Sequence, residues 1–135
     1  MLVTGACHCG AIRYEADIDP ATAGICHCKD CQVLSGTAFR VYVRAAPGTF
    51  KLVSGTPRVY TKTAESGAKR EQAFCEICGS PIYATAPGPE PRVYSIRAGT
   101  VDQRDQLAAN IQIWTRSRLP LLDELDAVPK LETQR

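Results

Sequence analysis

Short runs in which apolar and polar residues alternate fill this chain, and their period of two is the mark of half-buried strands. Residues 2–6 and 11–16 flank a turn at Gly10; strands at 39–44, 50–53 and 58–62 follow, set apart by Pro47, Gly48, Gly55 and Pro57. Further strands are predicted at 71–74, 82–86, 93–98 and 111–115, so the spacing is that of an antiparallel meander. Helix is scarce: the pattern allows one or two turns at 29–34 and another short helix at 102–109. Between them, Pro87, Pro89 and Pro91 forbid regular pairing and mark a loop. Charges and prolines from residue 120 to 135 predict an extended wrap over the sheet with a frayed end. The expected fold is mainly β, built of small antiparallel sheets with little helix.

The chain has 135 residues, enough for one domain with its own core, and shows no internal repeat. Its start, Met1-Leu2-Val3-Thr4-Gly5, lacks the basic residues and long apolar run of a secretory signal, and no segment approaches a membrane span. A cytoplasmic protein is expected. The formal charge of +2, from 16 Lys and Arg against 14 Asp and Glu, at first invites a nucleic-acid partner. Metal-bound thiolates change that balance: seven of them holding two zinc ions bring the chain to about −1. Neither nucleic acid nor membrane is then expected as a partner.

That correction rests on the seven cysteines, which fall in three groups: Cys7 and Cys9, then Cys26, Cys28 and Cys31, then Cys75 and Cys78. In a reducing compartment, closely spaced cysteines are metal ligands or redox centres more often than disulfides, and an odd number cannot pair completely. A structural zinc site takes four ligands, whereas a catalytic one keeps a position open beside three. Residues two apart on a strand share a face, so Cys7 and Cys9, and Cys26 and Cys28, can each offer two sulfurs together. If Lys29 opens a helical turn, Cys31 joins Cys28 and completes a tripod. A ribbon-like rival would join Cys28 and Cys31 to Cys75 and Cys78 instead. Glycine follows both Cys9 and Cys78, as expected where backbone turns left-handed to bring amides towards sulfur, while Gln32 follows Cys31. This favours Cys7, Cys9, Cys75 and Cys78 as the structural zinc site, with Cys26, Cys28 and Cys31 holding a second zinc.

Further residues near the tripod are weaker candidates. Gln32, Ser35 and Gly36 follow it and can supply hydrogen bonds to a ligand; Phe39 and Tyr42 can wall a pocket, although core packing explains them as well. His27 and His8 should alternate to the face opposite their cysteine neighbours. Trp114 suits core or pocket wall. Lys29, Arg40 and Arg44 are the basic residues expected nearby, and Arg116 with Arg118 reads as a solvated edge.

The series Gly5-x-Cys7-x-Cys9-Gly10, Cys26-His27-Cys28-x-x-Cys31, Ser35-Gly36, Phe74-Cys75-x-x-Cys78-Gly79-Ser80, Gly99-Thr100-x-Asp102 and Ile113-Trp114-Thr115-x-Ser117-Arg118 resembles the glutathione-dependent formaldehyde-activating enzyme family. This is also called the centromere protein V and formaldehyde-activating domain. The resemblance implies an Mss4-like fold over the chain, a structural zinc on four cysteines and a catalytic zinc on Cys26, Cys28 and Cys31. Gln72, Gln112 and Leu121 depart from its pattern, standing where an arginine, a histidine or other polar residue, and a tryptophan are frequent. The implied reaction adds the thiol of glutathione to formaldehyde, classed in reverse as carbon-sulfur lysis. Three thiolates donate heavily to zinc, which suits activation of an already acidic thiol better than activation of water. A noncatalytic zinc-binding interaction module is the alternative, and a thiol-redox protein a third reading, which would need a free cysteine.

Overall fold

The computed structural model describes residues 1–134. Among them are nine strands: β1 (Leu2–Ala6), β2 (Arg13–Cys26), β3 (Arg40–Ala45), β4 (Lys51–Ser54), β5 (Arg58–Thr63), β6 (Lys69–Phe74), β7 (Pro81–Thr85), β8 (Ser95–Arg97) and β9 (Ile111–Ile113). The α-helix α1 (Lys29–Ser35) stands between β2 and β3. The protein is thus mainly β, as the alternating pattern predicts.

Strand β2 organises the molecule. Its first half lies between β1 and β4, both antiparallel to it, and forms one small sheet. Its second half enters the larger sheet, in the order β9-β2-β3-β8-β7-β6-β5, where only β9 runs parallel to its neighbour. A register shift between Asp19 and Gly24 separates the halves. There the Asp19 carboxylate accepts from the Ala21 amide at 3.0 Å, and the Thr22 hydroxyl donates to the Asp19 carbonyl at 2.6 Å. These local bonds hold a bulge, and a bulge lets one strand change sheets. The prediction of a strand at 11–16 therefore found only its first part.

Val3, Tyr14, Val43, Ile82, Ile96 and Val101 fill the core between the sheets. Phe50 stacks on Tyr14 and Tyr94, with ring centroids 5.2 and 4.7 Å apart, and closes one side of it. The helix expected at 102–109 is instead a single 3-10 turn at Arg104–Gln106. Both ends of that segment are tied to strands: the Asp102 amide donates to the Thr4 carbonyl at 2.9 Å and the Asn110 amide to Ala23 at 2.8 Å. Those contacts override the modest helical propensity of so short a run. From residue 120 onward the chain makes 3-10 turns at Pro120–Leu122 and Leu125–Ala127. Arg135, the last residue of the expected wrap, lies outside the described residues. No helix is long and apolar enough to cross a membrane among the described residues.

Candidate metal centres and the pocket beside them

The turn after β1 and the turn between β6 and β7 are built alike. The Gly10 amide donates to the Cys7 carbonyl at 3.1 Å and the Gly79 amide to the Cys75 carbonyl at 2.8 Å. Gly10 and Gly79 adopt φ of 80° and 78°, a left-handed conformation that costs glycine little. These two turns face each other and gather Cys7, Cys9, Cys75 and Cys78, whose sulfurs all lie within 4.8 Å of one another. Cys7 and Cys9 Sγ are 3.6 Å apart, and Cys9 and Cys75 Sγ 3.8 Å. A tetrahedral ion with metal–sulfur bonds near 2.3 Å would set its sulfurs roughly 3.8 Å apart, so the donor set fits zinc. Donors also turn towards the sulfurs. The Ile12 amide lies 3.2 Å from Cys7 Sγ, and the Ser80 hydroxyl 3.2 Å from Cys78 Sγ. The Ser80 hydroxyl, then its amide and that of Cys9, pull the Cys78 thiol down to about 5, which favours the thiolate a metal requires.

The second group sits where β2 runs into α1. Cys26 ends the strand, and Cys28, extended at φ −62° and ψ 154°, caps the helix by accepting from the Cys31 amide at 3.3 Å. The three sulfurs lie within 4.8 Å of one another. Cys31 draws the Cys26 thiol down while Cys26 pushes that of Cys31 up. A divalent ion held between the three sulfurs would take all of them as thiolates. The two clusters are separate, and the rival grouping of Cys28 and Cys31 with Cys75 and Cys78 is not the one the fold brings together.

Several residues named beside the tripod are occupied elsewhere. The Gln32 side-chain amide donates to the carbonyls of His27 and Ser117, at 2.8 and 2.9 Å, and fastens α1 to the 3-10 turn at Thr115–Ser117. The Ser35 hydroxyl donates to the Cys31 carbonyl at 2.6 Å, and Gly36 ends the helix with φ of 68°. The donors of Gln32 and Ser35 are thus committed to backbone carbonyls, and neither residue lines the cavity beside the tripod. His27 is buried; its ring lies 5.8 Å from that of Phe39 and its Nε2 pairs with Gln112 Oε1 at 2.7 Å. It packs behind the tripod, and Gln112 is its partner. His8 stands on the turn of the other cluster, where its amide donates to the Ser80 hydroxyl.

Tyr42 and Trp114 do line the space beside the tripod, a cavity of about 450 Å³. Trp114 takes a left-handed φ of 57° and carries Arg116 over its ring at 4.8 Å. It also borders a second opening, shared with Cys28, Lys29 and Asp30. Sequence spacing alone missed how basic the first cavity is: Lys62, Arg70 and Arg97 join Arg40 and Arg44 in its lining.

The class this defines is a mainly β fold that carries a four-cysteine and a three-cysteine cluster, each of which could hold a metal ion. A model of the glutathione-dependent formaldehyde-activating enzyme matches residues 2–117, and the chain belongs to that family. Membership implies an enzyme of formaldehyde and glutathione chemistry. A crystal structure of a Rhodobacter sphaeroides protein has the same fold, with a TM-score of 0.60 at 20% identity over 81% of this chain and 98% of that one.

Proposed function

We propose that the protein is a zinc-dependent enzyme of the carbon-sulfur lyase type, which joins a small thiol, glutathione or a similar one, to formaldehyde or another small aldehyde. One observation carries this reading: three cysteine sulfurs converge at the wall of a cavity large enough for a small molecule, with no fourth protein ligand beside them among the described residues. Cys26, Cys28 and Cys31 would hold the catalytic zinc; Cys7, Cys9, Cys75 and Cys78 would hold a structural one. When bound at three thiolates, zinc supplies a Lewis acid that keeps an incoming thiol in its thiolate form near neutral pH. The thiol sulfur then forms a bond to the aldehyde carbon, the carbonyl π pair moves to oxygen, and that oxygen takes up a proton, giving an S-hydroxyalkyl thioether. The chain itself contributes position. Cys28 and Cys31 are fixed by the helix cap, Gln32 locks that cap to the turn behind Trp114, and Tyr42 and Trp114 restrict the space for the aldehyde. The whole chain is read as one domain, in the cytoplasm, where thiols such as these stay reduced.

The test is exchange NMR of glutathione and formaldehyde with zinc-replete protein, read against the spontaneous rate. The protein should accelerate adduct formation, and Cys28→Ser should abolish the acceleration and one bound zinc while keeping the other. A variant that keeps both zinc ions and the full rate would overturn the assignment.

A further inference from the structure

The lining of the tripod cavity follows from strand parity. Arg40, Tyr42 and Arg44 alternate on β3, Ser95 and Arg97 on β8, Arg70 and Gln72 on β6, and Tyr60 and Lys62 on β5, so each set faces one side of the sheet. Register joins the sets: Arg44 pairs with Ser95, Ser95 with Ala84, Ala84 with Gln72, and Gln72 with Tyr60. In the next row Tyr42 pairs with Arg97. The middle of this face holds only the small side chains of Ala84 and Ser95. Long basic side chains stand around them, and the result is a trough with a small floor and a cationic rim.

Its charge is unbalanced. Lys62 pairs with Asp30 at 2.8 Å, but among the described residues no carboxylate reaches ion-pair distance of Arg40, Arg44, Arg70 or Arg97. Arg40 is buried, and it and Arg97 share one neutral acceptor, Gln72 Oε1, at 3.1 and 2.7 Å. Arg97 Nε is buried with no hydrogen-bond partner. Three thiolates around a divalent ion sum to about −1, which offsets one of the four guanidinium charges and leaves about +3. Burial, followed by the charge of Arg40, pushes Arg97 down to about 9. Near neutral pH, well below that value, the guanidinium still holds its proton, so the crowding persists as positive charge in search of a counter-ion.

We propose that this trough is an anion subsite, and that the thiol brought to the tripod carries two negative charges close together, as in a dicarboxylate or a phosphoryl ester. The inference rests on the reading of Cys26, Cys28 and Cys31 as a thiol-binding metal centre and narrows its substrate. Two guanidinium groups already converge on one oxygen, the geometry for a compact oxyanion. Arg44 and Arg70 face the same cavity, and neither side chain forms a hydrogen bond or ion pair among the described residues. Among the described residues no carboxylate lines the cavity to receive an ammonium group. A zwitterionic thiol therefore satisfies the trough less well than a dianionic one.

Trp114 is the only tryptophan, and it borders the cavity, so its fluorescence reports binding. The experiment titrates zinc-replete protein with mercaptosuccinate, glutathione, 2-mercaptoethanol and cysteamine, and separately with succinate, which has no thiol. Mercaptosuccinate should bind about tenfold or more tighter than 2-mercaptoethanol, with glutathione between them and cysteamine weakest, and the advantage should shrink with added salt. Arg44→Gln and Arg70→Gln should remove most of that advantage while leaving 2-mercaptoethanol binding and thermal unfolding near those of the parent. Thiol affinities that do not follow charge would overturn the anion subsite and leave thiol binding in place. If succinate binds in the arginine-dependent manner and no thiol adds to its affinity, the subsite stands and the thiol-activating role of the tripod falls.

Discussion

Gln72→Glu tests the charge argument because it should move stability and binding in opposite directions. Gln72 Oε1 accepts from Arg40 at 3.1 Å and from Arg97 at 2.7 Å. A carboxylate at the same place puts a negative charge about 4 Å from each guanidinium centre, worth roughly 4 kcal/mol apiece at an effective dielectric of about 20. Desolvating that carboxylate costs several kcal/mol, so a net stabilisation of about 2 kcal/mol remains. For a chain of this length that corresponds to an unfolding midpoint higher by roughly 5–10 °C. The same charge lies about 6 Å from an anion held by these arginines, and at that distance repulsion of about 3 kcal/mol per charge weakens it tenfold or more. Scanning calorimetry of zinc-replete protein and titration with mercaptosuccinate give the two numbers. A variant less stable than its parent, or one whose affinity for the dianionic thiol is unchanged, would refute the picture of two guanidinium groups crowded without a counter-ion.

Two further expectations concern the core that supports the site. Gly5→Ala places a Cβ 2.1 Å from Tyr14 Cζ and 2.5 Å from the Thr100 carbonyl oxygen, so Tyr14 must move; overpacking of about 1–3 kcal/mol should lower the midpoint by roughly 3–15 °C, read by thermal unfolding. Burial pushes the Tyr14 hydroxyl up to about 12 from its ordinary 10, against the opposing bond to Thr100, so its contribution is complete below pH 10 and is lost as pH rises through 12. Denaturant unfolding of the parent should therefore lose stability across that window, and Tyr14→Phe should lose less of it; equal slopes would refute this reading.

How much of this was legible in the sequence depends on whether the signal is local. Alternation located most of the strands, and the glycines after Cys9 and Cys78 anticipated two matched left-handed turns, because both features are properties of a few adjacent residues. The length of β2 was not legible: the predicted strand ended at residue 16, yet side-chain bonds at Asp19 carry the strand through a bulge and into the second sheet. Residues 102–109 failed as a helix for the opposite reason, since their composition permits one and distant partners, Thr4 and Ala23, forbid it. The cationic trough is the largest omission. Parity within β3 already grouped Arg40 with Arg44, but adding Arg70 and Arg97 requires knowing that β8 and β7 lie between β3 and β6, and in which register.

That register also explains why a closed cysteine cluster matters to a site it does not touch. Strands β6 and β7 supply Arg70, Gln72 and Ala84 to the trough, and the turn between them carries Cys75 and Cys78. A slip of one residue in either strand would turn its trough residues to the opposite face. Phe74 pairs with Pro81 across an irregular step just before the turn, where backbone pairing alone fixes the register least firmly. Joining that turn to Cys7 and Cys9 clamps it to the start of β2, the strand whose far end presents Cys26. One metal would then hold the alignment on which the pocket of the other depends.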